Sequence, residues 1–270
     1  MVAFPPCKIN LGLHILYKRT DGYHALETCF YPVPWTDILE VIPSDTLAFS
    51  QSGDAIPGDP HDNLCLRAYH LLQKDFHLSP VRIHLHKIIP TGAGLGGGSS
   101  DGAYTLRLLN DLFNLHLTPT ALAAYAAQLG SDCAFFTQDA PQLGTGRGEI
   151  LTPIDLSLKG KFLVLAKPPI HVSTAEAYAG ITPAAPATGL TQTLTQVPLA
   201  AWKGQLHNDF EPSVFARHPS IEALKERLYR AGAVYASMSG SGAAVFGIFD
   251  KGVDLAFDAG VVHWSGVLTR

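Results

Sequence analysis

The glycine-rich segment between residues 92 and 98 constrains this chain more than any other feature. Glycine costs about 1 kcal/mol in a helix interior, so five glycines in seven residues predict a loop. The preceding residues 81–88 alternate apolar and polar side chains, which predicts a half-buried strand. Residues 102–113 place Leu106, Leu109 and Phe113 on one helical face. The predicted order is therefore strand, glycine loop, helix, with Ser99 and Ser100 where the helix begins.

A loop of this kind suits an anion. Glycines allow backbone N–H groups to turn toward one point without Cβ clashes, and a helix N-terminus carries partial positive charge. A di- or triphosphate is the expected occupant, and the alternative is a flexible turn. No lysine follows the glycines, so the P-loop pattern is absent, and two helices follow where a dinucleotide fold needs a strand with an acidic end.

Composition sets the class of protein. The chain has 270 residues, 47% hydrophobic and 16% charged, which is enough apolar material for a core and too little charge for disorder. This length suits one large or two modest domains. We predict two, with the boundary near residue 155, giving 1–155 and 156–270. The net charge of −4 disfavours a general nucleic-acid binder.

The sequence also indicates where in the cell the protein works and how its cysteines are used. No run approaches the ~18 apolar residues that span a bilayer, and the first residues lack the regions of a signal peptide. The four cysteines are scattered, which disfavours a disulfide or zinc framework and indicates small hydrophobic side chains in a reducing cytoplasm.

Periodicity predicts further elements along the chain. The stretch 182–196 is rich in Pro, Ala and Thr, and we expect it to be irregular. The first helix should be capped by Asp62 or Asn63, and the helix at 118–129 should open at Thr118 with Pro119 at its first position. Strands are predicted at 8–17, 28–35, 37–42, 46–51, 161–166, 233–237 and 243–249, and helices at 62–76, 118–129 and 219–229.

Three motifs carry a resemblance to a known family. They are Pro90–Ser100 around the glycine loop, Cys7–Leu13 near the N-terminus and Ser237–Ala244 near the C-terminus. Together and in this order they resemble the GHMP kinase superfamily. The resemblance implies an α+β fold of two-layer α/β sandwiches, with an N-terminal domain like domain 2 of ribosomal protein S5 and a ferredoxin-like C-terminal domain.

A narrower resemblance rests on residues 18–24 with Glu27 and Thr28, and on residues 208–211. The Asp21–His24 segment is the discriminating part. It resembles the superfamily members that phosphorylate a cytidine diphosphate alcohol in the non-mevalonate isoprenoid pathway. Gly102 and the segment 131–136 depart from the usual pattern, and the match is weak after Phe249.

The resemblance implies ATP and Mg²⁺ as cofactors, with no direct protein ligand to the metal, and a small-molecule substrate. It implies a cytoplasmic enzyme, a monomer or weak homodimer, without nucleic-acid or membrane partners. The implied nucleotide-binding residues are Pro90, Gly92, Ala93, Gly94, Leu95, Gly96, Gly97, Gly98, Ser99, Ser100, Asn63 and Lys87. A second glycine turn, Gly240, Ser241 and Gly242, is expected against the substrate phosphates.

Asp132 and Lys8 are the expected catalytic pair. A carboxylate beside the attacking hydroxyl can accept its proton, and the alternative for Asp132 is a capping or turn residue. Lys8 lies in an apolar strand and needs a partner, since an unpaired buried ammonium is costly. Asp132 would be that partner, and the alternative is a solvent-exposed lysine on an edge strand. Asn10 lies on the same face of the strand as Lys8 and is expected to bind the substrate hydroxyl.

The resemblance implies that Tyr23 and His24 recognise the cytosine, with Phe30 and Tyr178 as candidate aromatic faces. Stacking is worth roughly 1–3 kcal/mol per base. Core packing is the alternative for each aromatic ring, and a surface turn is the alternative for His24. Thr174 and Lys167 are expected near polar groups of the substrate.

Two other functions are open at this point. One is a different GHMP kinase, acting on homoserine, mevalonate or a sugar, which the Asp21–His24 segment disfavours. The other is a non-catalytic, S5-like nucleic-acid-binding module, which the acidic balance disfavours.

Overall fold

The computed structural model describes residues 1–186 and 188–269. In chain order its strands are β1 (Val2–Ala3), β2 (Pro6–Lys18), β3 (His24–Thr36), β4 (Ile38–Pro43), β5 (Ala48–Gly53), β6 (Val81–Lys87), β7 (Gln142–Thr145), β8 (Ile150–Pro153), β9 (Phe162–Lys167), β10 (Tyr235–Met238), β11 (Val245–Phe249) and β12 (Val262–Val267). Its helices are α1 (Leu64–Gln73), α2 (Gly97–Leu112), α3 (Pro119–Leu129), α4 (Thr174–Tyr178), α5 (Leu190–Gln196), α6 (Glu211–Arg217) and α7 (Pro219–Arg230), with 3₁₀ turns at Pro60–Asp62, Cys133–Thr137 and Leu199–Ala201.

The chain divides into two compact units that interleave in sequence. The first contains residues 1–7, 35–91 and 96–139, and the second contains 8–34, 92–95 and 140 onward. The expected α+β class is confirmed, because each unit combines sheet and helix. A single boundary near residue 155 stays a prediction.

In the first unit a sheet in the order β1-β4-β6-β5 is covered by helices. β4 pairs antiparallel with β6, and β5 pairs parallel with β6. α1, α2 and α3 contact one another, and α2 also contacts β1 and β4. The alternation predicted for 81–88 is confirmed, since Val81, Ile83 and Leu85 are buried.

The second unit contains two sheets, in the orders β2-β3-β7-β8 and β10-β11-β9-β12. α7 lies against β10 and β11. Ile221 and Leu228 of α7 join a buried cluster with Val164, Val245 and Phe249 of the second sheet.

Local capping signals are confirmed where the sequence carried them. Asn63 caps α1 by accepting from Cys65 N, and Thr118 caps α3 by accepting from Ala121 N. The four cysteines are buried, and burial raises the pKa of the Cys29 and Cys65 thiols above its usual range.

Two sequence predictions are wrong. Gly97 and Gly98 belong to the first turn of α2 instead of the loop. Glycine is tolerated there because the first turn makes few intrahelical hydrogen bonds. The stretch 182–196 is not irregular throughout, since α5 begins at Leu190 and buries Leu190, Thr193 and Leu194.

Candidate active site

The glycine loop turns through a series of left-handed glycines into α2. Gly92, Gly94 and Gly96 have φ of +65°, +77° and +70°. Gly96 is the N-cap of α2 and provides no side-chain cap. The first N–H groups of this 16-residue helix therefore lack intrahelical partners and face outward. A Cβ on Gly98 would meet no atom within 4 Å, so there is open space at the helix start.

The buried Ser100 adds a polar group to this helix start. Its hydroxyl has no hydrogen-bond partner among the described residues. Uncapped N–H groups and a hydroxyl beside a positive helix end form a donor set for phosphate oxygens. The local geometry of residues 96–100 thus fits the anion that the sequence predicts.

The first half of the loop lies against the second glycine turn. A Cβ on Gly94 would come 2.0 Å from the carbonyl oxygen of Ser239. The Ser239 hydroxyl donates to the Gly94 carbonyl at 2.8 Å, and Ala244 N donates to the Ala93 carbonyl at 3.1 Å. Only glycine permits this backbone approach at residue 94.

Lys8 is buried beside this contact. Its side chain donates to Asn10 Oδ1 at 2.5 Å and to the Gly94 carbonyl at 2.9 Å, and its ammonium lies 5.3 Å from the centre of the Phe30 ring. Asn10 in turn donates to Thr28 Oγ1 at 2.9 Å. The structure therefore brings together Lys8, Asn10 and the first half of the glycine loop.

The Asn208–Glu211 segment holds the second glycine turn in place. The Asn208 amide donates to the carbonyls of Met238 and Gly240, both at 2.8 Å. Glu211 accepts from Met238 N at 2.8 Å and from the Ser237 hydroxyl at 2.9 Å. This motif acts on the backbone of residues 237–240.

Asp132 belongs to the first unit. It is the N-cap residue of the 3₁₀ turn Cys133–Thr137, just beyond the end of α3. Burial, together with the Asp132 charge, raises the pKa of the neighbouring Cys133 thiol to about 11, against a hydrogen bond with Ser99. Asp132 therefore immediately precedes Cys133, whose thiol interacts with Ser99 in the first turn of α2. Its pairing with Lys8, which belongs to the second unit, stays a prediction.

A cavity of about 370 Å³ opens beside the start of α2, within the first unit. Asn63, Lys87, Gly98 and Asp101 are among its lining residues. Lys87, predicted to approach the nucleotide, is buried and donates to Asp37 at 2.5 Å and to Asp101 at 2.8 Å. A Cβ on Gly97 would lie 3.0 Å from the Lys87 ammonium, so Lys87 also lies directly under the start of α2.

The buried Asp37–Lys87–Asp101 group carries two carboxylates for one ammonium. Burial opposes the charge on Lys87, but the two carboxylates outweigh it and raise the Lys87 pKa. Burial also raises the pKa of Asp101 to about 7, against the attraction of Lys87. Asp101 Oδ1 is buried without a hydrogen-bond partner among the described residues.

Asp101 should make stability depend on pH. Its pKa is raised above the ordinary 3.8, so the folded chain binds this proton more tightly than the unfolded chain. The stabilisation that this bound proton gives the folded chain is fully present below pH 3.8 and is lost as the pH rises through about 7. The native chain should lose stability between about pH 5 and about pH 8, whereas Asp101→Asn has no carboxyl to titrate at this position. We therefore expect the free energy of unfolding of Asp101→Asn to rise relative to that of the native chain over this range. Denaturant unfolding at both pH values checks this, with the exposed Asp111→Asn as control. A constant difference between Asp101→Asn and the native chain would contradict it.

The predicted base-binding residues lie in the second unit. The rings of His24 and Tyr178 stack with centroids 4.9 Å apart and planes at 20°, and Tyr178 also meets Phe210 edge-on. Tyr23 is 57% exposed. Phe30 is 2% exposed and lies beneath Lys8. Thr174 is exposed at the first position of α4, after the N-cap Ser173, and Lys167 is half-buried at the end of β9.

Sequence reasoning missed several residues of the site. Ser239, Thr28 and Asp37 were not predicted as site residues, although each makes a buried or partly buried hydrogen bond to a predicted residue or its neighbour. The sequence did indicate that Lys8 and Lys87, if buried, need hydrogen-bond acceptors. Which residues serve as acceptors depends on contacts between distant parts of the chain.

Residues 1–186 and 188–269 contain neither a metal-binding cluster nor a helix suited to span a membrane. No group of three or more His, Cys, Asp or Glu side chains is arranged to hold a metal ion. No helix in these ranges has both the length and the apolar character that crossing a bilayer requires.

Comparison with known families gives two matches. The GHMP kinases N terminal domain matches residues 63–139, and the GHMP kinases C terminal domain matches residues 197–259. The first match contains the glycine loop and Asp132, and the second contains the Ser239–Gly242 turn.

Curated relatives cover nearly the whole chain. The 4-diphosphocytidyl-2-C-methyl-D-erythritol kinase of Bacteroides thetaiotaomicron is 54% identical, with 93% of this chain and 92% of the relative covered. The protein of the same name from Cytophaga hutchinsonii is 52% identical, with 93% of both chains covered.

Solved structures agree in fold. A crystal structure of 4-(cytidine 5'-diphospho)-2C-methyl-D-erythritol kinase superposes with a TM-score of 0.75 at 32% identity, covering 92% of this chain and 90% of that one. A mevalonate kinase structure superposes with a TM-score of 0.62 at 14% identity, covering 92% and 91%, which is a likeness of fold alone.

Proposed function

Because the chain belongs to the 4-diphosphocytidyl-2-C-methyl-D-erythritol kinases, within the GHMP kinases, we propose how its residues carry out the reaction of that family. The protein is an ATP-dependent small-molecule kinase with a GHMP kinase fold. It phosphorylates the 2-hydroxyl of 4-diphosphocytidyl-2-C-methyl-D-erythritol, giving the 2-phosphate and ADP in the non-mevalonate isoprenoid pathway. The observation that carries this conclusion is identity of about one half over more than nine-tenths of the chain.

ATP is the phosphoryl donor, and we assign its phosphates to the glycine loop. The uncapped N–H groups at the start of α2 and the unpartnered Ser100 hydroxyl supply donors. The open space at Gly98 gives room for phosphate oxygens. The adjacent cavity lined by Asn63, Lys87 and Asp101 is then assigned to the nucleoside.

Mg²⁺ is proposed to enter with ATP, held by phosphate oxygens and without a direct protein ligand. The donor set of the loop supports this, since N–H groups and hydroxyls suit phosphate better than a metal. When bound, Mg²⁺ neutralises charge that develops on the transferred phosphoryl group.

The proton of the attacking hydroxyl is assigned to Asp132. As the new P–O bond forms and the bond to ADP breaks, the hydroxyl proton passes to the Asp132 carboxylate and then to solvent. The buried Lys8 ammonium places positive charge at the attacking oxygen, and Asn10 orients the hydroxyl. The contacts that support this are the hydrogen bonds of Lys8 to Asn10 Oδ1 and to the Gly94 carbonyl.

Recognition of the cytosine is assigned to Tyr23, His24 and Tyr178. The stacked pair of His24 and Tyr178 supports an aromatic site there. Phe30, being buried beneath Lys8, would serve the substrate through Lys8. Thr174 and the turn Gly240–Gly242 are proposed to contact polar groups and phosphates of the substrate.

The cellular location, oligomeric state and partners of the enzyme are also proposed. We propose a cytoplasmic monomer or weak homodimer with the division at residue 155 and without nucleic-acid or membrane partners. The net charge of −4 supports the absence of nucleic acid.

The substrate assignment is tested by measuring ADP release with a panel of alcohols. We expect turnover with 4-diphosphocytidyl-2-C-methyl-D-erythritol and none above background with homoserine, mevalonate or a hexose. Product analysis should place the phosphate on the 2-hydroxyl. Turnover with one of the other alcohols, and none with the cytidine compound, would contradict the assignment.

A further inference from the structure

The tip of the β7–β8 hairpin reaches the Asp21–His24 segment. At this tip the guanidinium of Arg147 lies 5.0 Å from the centre of the Tyr23 ring. Tyr23 is 57% exposed and is assigned above to the substrate base. Arg147 was not among the residues that the sequence singled out, and the reaction described above gives it no role.

The hairpin is fixed against β3, so its tip has a defined position. The Gly146 carbonyl accepts from Leu26 N at 2.8 Å. A Cβ on Gly144 would come 2.6 Å from the Phe30 ring, which shows that the hairpin backbone lies directly on that ring. Gly146 and Gly148 have φ of +72° and +105°, a conformation that favours glycine on both sides of Arg147.

Arg147 and the Tyr23 segment are also held individually. Glu149 accepts from Arg147 N at 2.5 Å and lies 3.7 Å from the guanidinium. On the other side, Asp21 accepts from Tyr23 N at 3.1 Å and pairs with Arg19 at 2.8 Å. The Arg19 hydrogen bond, and to a smaller extent the Arg147 charge, lower the pKa of Asp21. The charges of the hairpin and of the segment are therefore coupled.

We propose that Arg147 is a positioning residue for the substrate base. The guanidinium covers one face of the Tyr23 ring, which fixes the plane of the ring and leaves its other face for the cytosine. Planar guanidinium groups stack on aromatic faces, and the attraction is electrostatic. The inference rests on the proposed function, since it assigns Tyr23 to the cytidine diphosphate alcohol.

Steady-state kinetics of Arg147→Met test the proposal. An exposed cation–π contact predicts a rise of about two- to five-fold in KM for the cytidine diphosphate alcohol. The kcat and the KM for ATP should not change, because Arg147 lies against Tyr23 at the tip of the β7–β8 hairpin. Arg147→Lys should restore part of the loss, since lysine keeps the charge without the planar group. Lys203→Met is the matched control, because it removes a cation 4.2 Å from the ring of Tyr229, outside the site.

A double-mutant cycle with Tyr23→Leu separates positioning from a general charge effect. If Arg147 acts through the Tyr23 ring, Arg147→Met should have no further effect on KM in the Tyr23→Leu chain. An equal rise in KM in both backgrounds, a rise in KM for ATP, or no rise at all would overturn the proposal.

Binding of cytidine 5'-diphosphate, measured by calorimetry, makes the test independent of turnover. We expect its Kd to rise by the same factor in Arg147→Met. If the native chain binds cytidine 5'-diphosphate but phosphorylates another alcohol, the assigned reaction fails and the Arg147 inference stands on the Kd. If the native chain does not bind it, the Arg147 inference is overturned.

Discussion

Replacing Asp132 with asparagine should lower kcat by about 10²–10⁴-fold while leaving the fold and ATP binding intact. Asparagine keeps the shape of the side chain and the N-cap position before Cys133–Thr137, but it cannot accept the hydroxyl proton. Single-turnover kinetics at saturating ATP and cytidine diphosphate alcohol measure this loss in the chemical step.

The same substitution at Asp111 is the matched control. Asp111 is an exposed aspartate near the end of α2, and Asp111→Asn should retain the native kcat. A melting temperature of Asp132→Asn close to that of the native chain would show that the loss is chemical. Near-native kcat in Asp132→Asn would refute the assignment of the base.

Gly94→Ala should destabilise the chain by about 2–6 kcal/mol and abolish most activity. An alanine at φ +77° is strained, and its Cβ would lie 2.0 Å from the Ser239 carbonyl oxygen. Relief of that clash separates the loop from the second glycine turn and removes the Gly94 carbonyl from its place beside Lys8. Denaturant unfolding measures the stability, and the cytidine kinase assay measures the activity.

Gly189→Ala is the control for this prediction. Gly189 precedes α5 with φ of −62°, and a Cβ there would meet no atom within 4 Å. Its free energy of unfolding should match that of the native chain. If the free energy of unfolding of Gly94→Ala also equalled that of the native chain, the close approach of the two glycine segments would not exist in solution.

The sequence was most informative where the signal is local. The loop at residues 92–96, the alternation of 81–88 and the caps Asn63 and Thr118 depend on neighbours within a few residues, and the structure agrees with each. Gly97 and Gly98 are the exception, because they begin α2. α5 was missed because its three Thr residues have low helix propensity, whereas burial of Leu190 and Leu194 decides its conformation.

The partners of the site residues are set by tertiary structure instead. Lys8 and Gly94 are 86 residues apart, and Gly94 and Ser239 are 145 apart. No periodicity or spacing encodes such contacts, so the sequence showed that Lys8 needs an acceptor without showing which one. Arg147 is similar, since its contact with Tyr23 depends on how the β7–β8 hairpin lies on β3.

The central claim is that the start of α2 binds the ATP phosphates while Asp132 and Lys8 direct an alcohol at the terminal one. A crystal structure with a non-hydrolysable ATP analogue and the cytidine diphosphate alcohol tests it most directly. We predict phosphate oxygens within hydrogen-bond distance of the N–H groups of residues 97–99. We also predict the Asp132 carboxylate about 2.6–3.2 Å from the substrate hydroxyl, with the Lys8 ammonium beside it. Phosphates bound away from the glycine loop, or a hydroxyl that reaches neither Asp132 nor Lys8, would contradict the account.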